Sequence, residues 1–144
     1  MIMKYLKIST FVFMFIALVT ATGCSNNTPV YSDVSEGGGY KIRLMASANE
    51  VTNGGSFSVT AYVTDPDGNA VPDEDEAVIF SSNASDIDFD DKKADIKSGI
   101  AMTYASWEDK SDSDSPDPPT LARIMGVYKG ASSYVEVLLI SESF

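Results

Sequence analysis

The sequence predicts an all-β chain, an antiparallel sandwich of about seven short strands standing behind a leader segment. Three observations predict it. Apolar and polar residues alternate in short runs. Turn-forming residues separate those runs. Beyond the leader, no stretch keeps a sustained helical period.

Residues 40–46 alternate first, with Ile42, Leu44 and Ala46 on one face and Lys41 and Arg43 on the other. Asn53-Gly54-Gly55 then marks a turn. Residues 57–64 give the clearest pattern: Phe57, Val59, Ala61 and Val63 share one face, and Ser58, Thr60, Tyr62 and Thr64 the other. Period-2 alternation of this kind is the mark of a strand with one buried side. Asp65-Pro66-Asp67-Gly68-Asn69 follows as a tight reversal. Residues 77–81 read as a strand burying Val78 and Phe80, and residues 87–89 as a short edge strand.

Residues 99–107 form a further strand whose register stays open. Either Ile100, Met102 and Tyr104 face inward, or Ala101, Thr103, Ala105 and Trp107 do, since a one-residue slip exchanges the two sets. Residues 108–119 are a polar loop rich in Asp, Ser and Pro. Residues 120–128 and 132–141 pair as a closing hairpin with Lys129-Gly130-Ala131 at its tip. In its last strand Val135, Val137 and Leu139 alternate with Tyr134, Glu136 and Leu138, and Phe144 is expected to pack.

The leader has its own logic. Lys4 and Lys7 precede a short apolar run that ends in small residues, the layout of a secretory signal peptide. The uncharged stretch is slightly short for a spanning helix. Ala21-Thr22-Gly23-Cys24 resembles the lipobox of bacterial lipoproteins, with Ala21 where leucine is usual. That resemblance implies cleavage before Cys24 and lipid on its thiol, and Ser25 in the next position implies outer-membrane delivery. The expected organisation is a signal peptide over 1–23, a lipidated flexible linker over 24–39, and a folded domain over 40–144. Asn26, Asn27, Pro29 and the run Gly37-Gly38-Gly39 suggest the linker. Extended, it would reach about 50 Å from the lipid.

A second resemblance follows from the strand pattern. Val59-Thr60-Ala61-Tyr62-Val63-Thr64-Asp65, then Asp67-Gly68-Asn69-Ala70-Val71-Pro72, is similar to the strand-turn-strand block of bacterial immunoglobulin-like domains of the invasin and intimin type. Residues 48–55, Val78-Ile79-Phe80-Ser81 and Ser98-Gly99-Ile100-Ala101 extend the likeness. It implies an immunoglobulin-like sandwich and a surface role. It does not transfer a receptor.

Composition narrows the chemistry. The 144 residues carry 21 acidic and 10 basic side chains, a net charge of −11, one cysteine and no histidine. Losing the leader removes two of the lysines and none of the acids. Such an excess repels nucleic acid and anionic lipid. Without histidine, Ser-His and Cys-His nucleophiles and His-based zinc sites are absent, and a lone cysteine forms no internal disulfide. No phosphate-binding glycine loop is present either.

What remains are oxygen ligands and aromatics. Asp65, Asp67 and Asn69 alternate within one turn and offer hard donors for Ca²⁺, although turn chemistry alone accounts for them. Tyr62, Tyr104 and Trp107 are candidates for an aromatic face toward sugar or protein. The expected function is a non-catalytic protein-binding or structural module, held at the outer membrane by lipid on Cys24 and placed at the cell surface or in the periplasm, with an envelope or surface protein as its expected partner. The alternatives are calcium- or carbohydrate-dependent adhesion and, with less support, a carboxylate-based hydrolase.

Overall fold

In the computed structural model, which describes residues 27–111 and 118–141, the alternating runs become two packed sheets. The strands in chain order are β1 (Val30–Tyr31), β2 (Ser35–Gly37), β3 (Tyr40–Ala46), β4 (Glu50–Thr52), β5 (Ser56–Thr64), β6 (Glu74–Ser82), β7 (Ile87–Phe89), β8 (Lys93–Ile96), β9 (Ile100–Trp107), β10 (Thr120–Tyr128) and β11 (Ala131–Ile140). The first sheet runs β1-β3-β5-β9-β7, with β2 also on β3; the second runs β4-β11-β10-β6-β8. Neighbours are antiparallel except β4 and β11, which pair in parallel.

The order β3-β5-β9-β7 against β11-β10-β6 is the A-B-E-D against G-F-C arrangement of an immunoglobulin-type sandwich. The fold is therefore the expected all-β sandwich, with added strands at its margins. Ile42, Leu44, Val59 and Val63 from the first sheet meet Val78, Phe80, Ile124, Tyr128 and Val137 from the second, all withdrawn from solvent. Each such large side chain contributes about 1.5–3 kcal/mol by leaving water. Gly126 has a packing reason: a Cβ there would collide with the Leu44 side chain across the core.

The open register of β9 resolves with Ala101, Thr103, Ala105 and Trp107 inward and Ile100, Met102 and Tyr104 outward. The ladder to β5 enforces this. Val59 lies opposite Thr103 and Ala61 opposite Ala101, so these inward pairs share one side of the sheet.

The stretch expected to be linker is different. Within residues 25–39, β1 pairs with the far half of β3, and β2 with its near half. Together they form an arm along the edge of the first sheet. Gly38 and Gly39 make a two-residue turn with φ of 59° and 83°, the positive values that a type I′ hairpin requires. A Cβ on Gly37 or Gly38 would overlap the carbonyl oxygen of Gly130 or Lys129. The glycines thus let this turn sit backbone against backbone on the Lys129-Gly130 turn of β10 and β11, which is also I′, with φ of 43° and 90°.

Candidate functional site

The outer face of the second sheet holds a row of exposed apolar side chains in register. Leu121 lies opposite Leu138, Arg123 opposite Glu136, and Met125 opposite Tyr134. Val127 continues the row to Ile79 on β6. Leu121, Met125, Tyr134 and Ile79 are all substantially exposed, Tyr134 to 48%. The Arg123 guanidinium sits 4.2 Å over the Tyr134 ring and 3.1 Å from the Glu136 carboxylate. The central acid is thereby paired, and the arginine lies over an aromatic ring. Tyr, Met and Arg are the residue types enriched at protein interfaces.

The first sheet presents a second outer face. Arg43, Tyr62 and Ile100 line up across β3, β5 and β9; so do Met45, Thr60 and Met102, and Ser58 with Tyr104. Tyr31 on β1 joins them beside Met45. Tyr104 is 53% exposed and Met102 49%. The outward positions of β5 and β9 carry no charge at all, in a chain with 21 acids. Charges lie at the margins: Glu36 pairs with Lys41 at 3.3 Å, and Asp88 with Lys110 at 3.5 Å.

Of the three aromatics singled out by sequence, the structure places two on one face, with the Thr60–Met102 rung between them. Tyr62 and Tyr104 share the outer face of the first sheet, while Trp107 points into the core at 6% exposure. A sugar platform needs an uncovered ring face, so Trp107 does not belong to the set. It borders a hollow of about 240 Å³ lined also by Asn83, Asp86, Asp109 and Ser141. The Ser141 hydroxyl donates to the Asp109 carboxylate. That bond, followed by the Ser111 backbone N–H, holds the Asp109 carboxyl below its ordinary value.

The Asp65-Asp67-Asn69 loop is closed on itself. Asp65 Oδ1 accepts the backbone N–H groups of Asn69 at 2.9 Å and Asp67 at 3.0 Å, and Oδ2 accepts the Asn69 side-chain amide at 3.2 Å. The Asn69 backbone N–H is the main reason its carboxyl lies below the usual aspartate value. These oxygens serve the turn. Among the described residues no three His, Cys, Asp or Glu side chains gather as metal ligands would.

Sequence reasoning missed a polar node where the arm meets β11. Ser32 and Ser133 are both buried there. The Ser133 hydroxyl donates to Ser32 Oγ at 2.7 Å and approaches the Asp33 carbonyl at 3.0 Å. Ser32 Oγ also accepts the Leu44 N–H at 2.8 Å. A groove of about 530 Å³ opens above the node, between residues 30–35 and 132–136. No sequence signal marked it, because serines in a polar stretch look like linker. Cys24, the expected signal peptide and Phe144 lie outside the described residues.

No family model and no curated protein matches the chain. Among solved structures, it is similar to domains 4 and 5 of the S-layer protein SbsC, at 14% identity and a TM-score of 0.40. The match covers 81% of this chain and 54% of that one, so the chain spans about half the length of the structure it resembles.

Proposed function

We propose that this chain is a lipid-anchored, non-catalytic module of the bacterial envelope that binds a protein partner through the outer face of its second sheet. The observation that carries the reading is the Met125–Tyr134 pair with Arg123 laid on the Tyr134 ring. Exposed aromatic and arginine anchors ringed by apolar neighbours are where binding energy concentrates in protein interfaces. Anchoring rests on the lipobox-like Ala21-Thr22-Gly23-Cys24, and outer-membrane delivery on Ser25. Display at the surface agrees with the resemblance of residues 59–72 to invasin-type domains.

Calcium-dependent adhesion has less to stand on, since the Asp65 carboxylate already accepts three N–H donors of its own loop. Two variants test the proposal. Cys24→Ser should move the protein from the membrane to the soluble fraction. Tyr134→Ala should stay in the membrane, melt as the parent does, and lose the partner in a pull-down from detergent-solubilised native membranes. Retention of the partner by Tyr134→Ala would refute the face assignment. An unchanged membrane fraction in Cys24→Ser would refute the anchor.

A further inference from the structure

The Ser32–Ser133 node and the arm change the geometry of the anchor. With β1 starting at Val30, the chain from Cys24 to the first paired residue is six steps long, roughly 20 Å at full extension. Strand β5 alone, nine residues at about 3.3 Å each, is roughly 30 Å long. The tether is therefore shorter than the domain it holds. A body on so short a leash stays within roughly 20 Å of the lipid, close enough for one of its faces to rest there.

Which side lies down follows from charge. The arm forms the edge of the first sheet, and Tyr31 places that edge in the same outer face as Met45, Tyr62, Ile100, Met102 and Tyr104. No acid occupies the outward positions of β5 or β9, and on the tethered side Lys41 pairs with Glu36 at 3.3 Å while Arg43 lies over the Tyr31 ring at 4.8 Å. The exposed acid Asp88 stands at the far edge, on β7. The outer face of the second sheet carries Glu50, Asp95 and Glu136 together with Lys93 and Arg123, so charge runs into its centre at the Arg123–Glu136 pair. Pressing that face onto lipid would desolvate carboxylates, whereas the first face offers tyrosines, whose rings suit the boundary between headgroups and water.

We infer that the outer face of the first sheet rests on the lipid surface in which Cys24 is anchored, tethered edge foremost, so that the Tyr134 face of the second sheet points away from the bilayer. This rests on the lipid-anchor reading. It also gives the two exposed faces of one small sandwich separate occupants.

The native chain has a single cysteine, taken by the lipid, so a new one can be labelled selectively. Ser58→Cys places a fluorophore on the first face and Ser81→Cys on the second. The lipidated protein, reconstituted into phosphatidylcholine vesicles containing a lipid-borne quencher, should show several-fold stronger quenching of the Ser58 label. Adding Met102→Glu should reduce that quenching while flotation with the vesicles and the melting temperature hold. Equal quenching at the two positions, or stronger quenching at Ser81, in protein that still floats would overturn the face assignment and leave the anchor standing. Protein that fails to float would overturn the anchor and this orientation with it.

Discussion

Ser133 donates a hydrogen bond of 2.7 Å to Ser32 across 101 residues of chain, and both hydroxyls are buried. This bond pins the amino-terminal arm to the second sheet. Ser133→Ala should cost about 1–3 kcal/mol, the range for stranding a buried polar partner. Ser32→Ala should cost as much, because it also strands the Leu44 N–H. The two share one network, so the double variant should cost less than the sum. Chemical denaturation of the four proteins checks this; strict additivity would show that the serines act independently.

Gly38 and Gly54 separate two effects that glycine usually mixes. Both have positive φ, 59° and 78°. A Cβ at Gly54 meets open space, while one at Gly38 strikes the Lys129 carbonyl. Gly54→Ala should therefore show backbone strain alone, about 1 kcal/mol. Gly38→Ala should be clearly worse, since the turn must lift from the Lys129-Gly130 tip. Thermal melts of the two variants decide it, and equal losses would mean that the tips do not pack.

Acid should destabilise the domain partly through Asp65 and Asp109. Both carboxyls are held below the ordinary aspartate value, Asp65 chiefly by the Asn69 backbone N–H and Asp109 chiefly by the Ser141 hydroxyl. A folded-state value below the unfolded one means stability that is present above the unfolded value and is lost as pH falls through the lowered one. Asp65→Asn should flatten that acid limb while lowering stability at neutral pH. An unchanged slope between neutral and acid pH would contradict the loop's role. For the same reason, millimolar Ca²⁺ should leave the parent melting temperature where it is.

Much of the sandwich was legible in the sequence. Strands β3, β5, β10 and β11 each bury one alternating set, and period-2 patterns report that directly. Strand β8 was not legible, because only Ala94 and Ile96 turn inward between charged neighbours. The arm was misread as linker because its strands are two and three residues long and its glycines, which suggest flexibility, serve a close backbone contact. The ambiguity of β9 had a physical cause. Its outward set, Ile100, Met102 and Tyr104, is as apolar as its inward set, and that is what makes this surface unusual. The face proposed to meet a partner was the least visible. Leu121, Met125 and Tyr134 become one surface only when β10 and β11 are in register.

The central proposal to test is that the second sheet's outer face meets a protein at the membrane. A photo-crosslinking amino acid at Met125, directly opposite Tyr134, tests it in the lipidated protein in native membranes. The predicted result is a discrete protein adduct that disappears when Tyr134→Ala is added. An intact, membrane-bound protein that gives no adduct from Met125 would contradict it.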